Sequence, residues 1–373
     1  MSFLRIVSGF CIFLIMGCTD RSFSPITPEA LEIGTAKTIF AATNRVMLED
    51  GSFGPARSED FSLLELTVSI PPSHTPGNLE FGYADPDPKT EFTLAARRQF
   101  STAGAFDARL LQELNQFPPD ERDVTVFVHG YNSTQAETAF RAAQLTHDID
   151  TPGATVIYSW PSLGSPLGYA YDGDSVLFAR DGLEKLLRHL ETTGARRIVL
   201  VAHSMGSVLA METLRQIEIK SPNWSSRNLG GVILMSPDLD VDVFRSQMER
   251  FGKVPQPFLV FVSRKDTILN ISRRIRGTHS RERLGNISAL DMVSDLPIEI
   301  IDTTAYADEA ESGHFVAATS PALLSLLNAA SETADAFQRD RDSFVLNEFL
   351  PGPIIQDGAV TKVSLIVQGG GYR

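Results

Sequence analysis

Ile198-Val199-Leu200-Val201-Ala202-His203-Ser204-Met205-Gly206 is an unbroken apolar run that breaks into a turn, and Ser207 to Ile217 then carries apolar residues at helical spacing. A short, β-branched, continuously apolar run is the pattern of a strand buried on both faces. Small residues stand two places before and two places after Ser204, where strand gives way to helix. A turn that tight has no room for larger side chains there. The serine hydroxyl is lifted over the end of the strand, and the first N–H groups of the helix point into the same space with the positive end of the helix dipole.

The same strand-then-helix pattern repeats on both sides of this stretch. Apolar strands are predicted at Val124–Val128, Ala154–Tyr158, Gly231–Met235, Pro257–Val262 and Ile298–Ile301. Helices are predicted from about Thr134 to His147, from Asp174 to Leu190 and near Pro321 to Ala330, the second with Val176, Leu177, Leu183, Leu186 and Leu187 on one side. Such alternation, with right-handed crossovers, means a doubly wound, mostly parallel α/β sheet with helices on both faces. More strand-like runs precede it between Thr38 and Phe100, among them Leu63 to Ile70 before Pro71-Pro72.

The chemistry is read from what a serine at such an elbow needs. It needs a base, and in enzymes built this way the chain order is serine, acid, histidine. Of the seven histidines only His279 and His314 follow Ser204. His279 lies in an arginine-rich stretch, where positive charge depresses its basicity. His314 follows the last predicted strand and is the expected base. Asp266, just after the strand ending at Val262, is the expected acid, and Asp238, after the strand ending at Met235, is the alternative. An oxyanion needs preorganised donors. The backbone N–H of Met205 is one, and that of Tyr131, in Val128-His129-Gly130-Tyr131-Asn132, is the expected second. His129 precedes the serine and reads as structural. The aromatic stretch from Ser159 to Tyr171 either lines an acyl pocket or packs against the next helix. No metal site is expected.

Several stretches together resemble a bacterial family of uncharacterised α/β-hydrolases placed in the esterase/lipase superfamily. They are Thr43-Asn44-Arg45, Phe127 to Asn132, Ser159-Trp160-Pro161-Ser162 with Tyr169 and Asp172, Ala202 to Gly206, Ser236 to Asp240, Val262 to Asp266, and Gly313-His314. The resemblance spans roughly residues 38–330 and implies the α/β-hydrolase fold and a Ser204–Asp266–His314 triad. Ala202 stands where glycine is more usual. The implied activity is carboxylester hydrolysis through an acyl-enzyme, without cofactor, on a small-molecule or lipid ester. The same site suits an amidase, a thioesterase or an acyltransferase, and a catalytically silent binding lipoprotein is the rival from another class.

Composition bounds the rest. The 373 residues carry a formal charge of −13, which disfavours nucleic acid as a partner. The two cysteines, Cys11 and Cys18, both lie at the N-terminus, so the body has no thiol chemistry. Arg5, the apolar run Ile6 to Met16 and then Gly17-Cys18 resemble the bacterial lipobox. That implies a signal peptide over 1–17, lipidation of Cys18, a tether over 18–37, a hydrolase domain over 38–332 and a C-terminal extension over 333–373. The expected place is the bacterial cell envelope, anchored in a membrane and facing the periplasm. Thr19, rather than Asp, after Cys18 points to the outer membrane.

Overall fold

The computed structural model describes residues 21, 24–275, 283–286, 292–309, 314, 316–320, 355–356 and 359–360. Nine strands form one sheet: β1 (Thr35–Met47), β2 (Phe53–Ile70), β3 (Thr93–Gln99), β4 (Val124–Val128), β5 (Ala154–Ser159), β6 (Ile198–His203), β7 (Leu229–Met235), β8 (Phe258–Val262) and β9 (Glu299–Asp302). Their order across the sheet is β3-β2-β1-β5-β4-β6-β7-β8-β9. Pairing is parallel from β1 through β9, and β2 runs antiparallel to both β1 and β3. The doubly wound reading holds, with the N-terminal strands extending the same sheet.

Alternation along the central strands sends side chains into two cores. Val126, Val128, Leu200 and Ala202 meet helices α1 (Ala103–Leu114), α3 (Tyr169–Leu190) and α4 (Met205–Lys220) on one face. Phe127 and Ile157 meet helix α2 (Gln135–Asp148) on the other. Burial from both sides is why the strands read as continuously apolar. Helix α3 begins at Tyr169, earlier than its periodicity predicts, and Leu177 is exposed rather than on the packed stripe with Val176, Leu183, Leu186 and Leu187. Leu177 stands nine residues before Leu186, about half a turn away around the helix, which carries it past the edge of the stripe.

Helices α5 (Trp224–Asn228), α6 (Val241–Met248), α7 (Thr267–Ile275) and α8 (Val316–Thr319) complete the described α-helices. The stretch expected as a tether over 18–37 is partly built into the domain. Pro28–Glu32 forms a 3-10 helix with Ala30 buried, the Ser69 hydroxyl donates to the Ala30 carbonyl at 2.9 Å, and Thr35 already pairs with Ile70. The helix predicted at 321–330 lies outside the described residues, as do Cys18 and His279. Within the C-terminal extension Ile355–Gln356 pairs antiparallel with Ala359–Val360. Among the described residues no helix is long and apolar enough to cross a membrane.

Candidate active site

Chain order reverses at β4, which lies between β5 and β6, so the loops leaving β4 and β6 diverge over a crevice at the strands' C-terminal ends. Ser204 leaves β6 into that crevice with φ 52° and ψ −123°, a conformation that costs a non-glycine residue about 1–3 kcal/mol. Neighbours hold it there. Its N–H donates to the Met235 carbonyl at 2.9 Å, and its carbonyl accepts from Ser207 N–H at 3.0 Å and Asp238 N–H at 3.2 Å. Small residues are required as the motif implies. A Cβ on Gly206 would lie 2.3 Å from the His129 carbonyl oxygen, and one on Gly130 would lie 2.7 Å from His203 Nδ1 and 3.0 Å from Ser204 Cβ. The loop carrying Tyr131 therefore abuts the serine, and Met205 opens helix α4 beside it.

Asp266 and His314, 48 residues apart in the chain, meet at 2.7 Å through Oδ2 and Nδ1. The Asp266 side chain is fully buried. Its Oδ1 accepts from Leu269 N–H at 2.9 Å, which ties the carboxylate to the first turn of α7 and leaves Oδ2 for the imidazole. Asp238 goes elsewhere. It accepts from Tyr169 Oη at 2.7 Å and Ser272 Oγ at 2.6 Å and pairs with buried Arg283 at 3.1 Å. His203 packs against His314 with ring centroids 4.9 Å apart.

Two buried histidines in this crevice are held neutral. Burial, with Arg45 adding to it, pushes His129 down to about 3, and burial with nearby His314 and Arg141 holds His203 well below the ordinary range. The unfolded chain protonates both below about pH 6.5. Their contribution to stability is therefore complete above that pH and drains away as pH falls below it, for His129 until pH nears 3. Each histidine should remove about 1.4 kcal/mol per pH unit while it is neutral in the fold and protonated in the unfolded chain. Urea melts at pH 7 and pH 5 check this, and equal midpoints would contradict it.

Residues 105–330 match the profile of a family described as an alpha/beta hydrolase of unknown function (DUF900). The chain belongs to that family. No curated protein matches it. Similar solved structures include an esterase B from Lactobacillus rhamnosis at 12% identity, covering 70% of this chain and 89% of that one with a TM-score of 0.33. A Pyrococcus furiosus esterase is 11% identical, with 85% and 96% covered and a TM-score of 0.34. An esterase 2 from Thermogutta terrifontis is 12% identical, with 86% and 98% covered and a TM-score of 0.31.

In this α/β-hydrolase the motifs that carried the resemblance without an assigned task turn out to be one buried network. Arg45 is 3% exposed and donates to Ser159 Oγ at 3.0 Å, the Ser162 carbonyl at 3.0 Å and the Ser133 carbonyl at 2.8 Å. Burial lowers its pKa to about 10, so it stays charged. Asp172, also buried, accepts from Ser162 Oγ at 2.6 Å and from the N–H groups of Leu163 at 2.6 Å and Asn132 at 3.1 Å. The network joins β1, the loop after β5, the start of α3 and the loop holding Tyr131. No local pattern reveals it, because each partner comes from a different element. Arg45→Met should cost about 3–5 kcal/mol, since several carbonyls and Asp172 lose a buried cation. Urea denaturation measures this, and a loss under about 1 kcal/mol would refute the network's role.

The aromatic stretch resolves mainly as packing. Trp160 is fully buried, stacks on His129 at 4.8 Å and donates through Nε1 to the His129 carbonyl at 2.8 Å. Tyr171 Oη donates to the Pro55 carbonyl at 3.0 Å. Leu167, by contrast, is 95% exposed. At the C-terminal end of α2, His74, His147 and Asp148 lie close enough to share a metal ion. Asp148 already accepts from His74 Nε2 at 2.6 Å, Gly77 N–H at 2.8 Å and Gln144 Nε2, so protein donors occupy its oxygens. Gln144 also donates to the Ala318 carbonyl at 3.2 Å, which braces the short helix that follows His314.

Proposed function

We propose that this chain is a serine carboxylesterase, held in the bacterial envelope by lipid on Cys18. The observation that carries the enzymatic reading is the buried Asp266–His314 pair at 2.7 Å, on the same sheet edge as a serine held at φ 52°. A carboxylate on Nδ1 fixes the tautomer in which Nε2 is the nitrogen that accepts a proton.

Ser204 Oγ attacks the ester carbonyl as His314 Nε2 takes its proton. Asp266 stabilises the imidazolium. The tetrahedral oxyanion receives the N–H groups of Met205 and Tyr131, aided by the α4 dipole. As the intermediate collapses, His314 returns the proton to the leaving alkoxide and an alcohol departs. Water then attacks the acyl-Ser204 ester, gives a proton to His314, and the acid is released with Ser204 restored. The three side chains supply every proton transfer, so the scheme needs no cofactor.

The test is labelling with a fluorophosphonate followed by peptide mass spectrometry, together with turnover of p-nitrophenyl esters of rising chain length beside matched anilides. Label on Ser204 and preferred ester turnover are expected. No label and no turnover would leave a binding protein in place of an enzyme.

The lipid anchor rests on Gly17-Cys18 at the end of the apolar run Ile6 to Met16. Mass spectrometry of the mature N-terminus should find Cys18 first and acylated, and Cys18→Ser should release the protein from membranes or leave its signal uncleaved. An unmodified mature terminus beyond Cys18 would show ordinary secretion.

A further inference from the structure

Arg21, three residues after Cys18, is clasped by the rim of the crevice. Its Nη2 and Nε reach Glu137 Oε1 at 2.7 and 3.0 Å, and Nε also reaches Tyr83 Oη at 3.1 Å. Nη1 donates to Asn132 Oδ1 at 2.7 Å and to the Gly164 carbonyl at 2.9 Å. Asn132 belongs to the loop holding Tyr131, and Gly164 to the loop after β5. Glu137 is itself fixed, as the N3 residue of the Thr134 capping box that opens α2. Three residues of chain span at most about 10 Å. Cys18 is therefore tied within that distance of the Arg21 backbone, one arginine side chain from the crevice's edge.

The same rim exposes apolar side chains beside cations. Leu167, 95% exposed, follows Pro166, whose carbonyl accepts from Tyr131 Oη at 2.7 Å. Helix α7 starts at the end of β8 on this edge and joins the loop through Tyr169 Oη and Ser272 Oγ at 2.6 Å. It buries Leu269 and Ser272 and turns Ile271 and Ile275 outward, 51% and 59% exposed, with exposed Arg274 between them. The sequence continues this basic stretch with Arg276 and Arg281 in a chain whose net charge is −13.

We propose that this rim is the membrane-facing surface, so that the crevice opens onto an anionic bilayer, with Leu167, Ile271 and Ile275 in the headgroup layer and Arg274 against lipid phosphates. The inference rests on the Cys18 anchor. One acyl chain binds a membrane only marginally, and an apolar–basic patch held at the surface by the anchor fixes which way the domain faces. The substrate class that fits is an ester presented at the bilayer, entering without crossing the far side of the domain.

The two native tryptophans, Trp160 and Trp224, are buried, which leaves the surface free for a reporter. Leu167→Trp is introduced into the full lipidated chain on vesicles of phosphatidylglycerol and brominated phosphatidylcholine. Ile219→Trp, near the opposite end of α4, is the comparison. Bromine should quench the added emission at 167 and leave that at 219 unchanged, and Arg21→Ala should weaken the quenching at 167. Detergent-phase partition reports anchoring separately. An anchored chain with 167 unquenched, or with both sites quenched alike, overturns the orientation and leaves the anchor standing. A chain found in the aqueous phase without acyl groups overturns the anchor, and the orientation with it.

Discussion

Ser204→Ala should lower ester hydrolysis by about a million-fold while the protein stays folded. The expected size follows from the way the proposed triad would work as a unit: without Oγ, the pair formed by Asp266 and His314 would have no nucleophile to activate, and only binding and the proposed oxyanion donors would remain. The fold has little stake in the hydroxyl. Ser204 is anchored through its backbone, to Met235, Ser207 and Asp238, and alanine keeps those bonds. It also keeps the strain at φ 52°, which glycine would relieve. Ser204→Gly should therefore be as inactive as Ser204→Ala and more stable by up to about 1 kcal/mol. Turnover of p-nitrophenyl acetate and urea melts give both quantities. Activity within about tenfold of the wild type would end the assignment of Ser204.

Asp266→Asn should reduce turnover by about 10,000-fold, because an amide facing Nδ1 favours the tautomer with its proton on the wrong nitrogen. Stability should change far less, since the amide oxygen can still accept from Leu269 N–H. Asp238→Asn should behave in the opposite way. Its partners are Tyr169, Ser272 and Arg283, and removing its charge leaves Arg283 buried without its counter-ion, at a cost of about 3 kcal/mol. Measuring kcat and the urea midpoint for both variants separates the two carboxylates. If Asp238→Asn lost turnover at unchanged stability, the acid would be Asp238.

The elbow at Ser204 was legible because its constraint is local. Ala202 and Gly206 are small for steric reasons that act within a few residues, and the strand before and helix after declare themselves by period. The parallel sheet was legible for a similar reason, since strands such as Val124–Val128 are buried on both faces and lose their polar alternation. Leu177 was misread because periodicity averages over a helix, whereas packing selects each position by angle. Polar residues and prolines make the N-terminal segment read as a tether, while the bonds that seat Pro28–Glu32 and Arg21 come from Ser69, Asn132, Glu137 and Gly164, far away in sequence.

By itself, the sequence determined the strand–turn–helix units, the serine's place on one of them, and a short set of histidines and carboxylates able to serve it. Tertiary structure alone decided that His314 faces Asp266 and that Asp238 faces Arg283, because partners 48 and 45 residues apart meet only after the sheet sets the spacing of β7, β8 and β9. It also decided that Arg45 and Asp172 hold the loop beside the serine. A buried charge is tolerated only where several elements bring hydrogen-bonding partners to it at once, and that convergence is a property of the assembled sheet rather than of any stretch of chain.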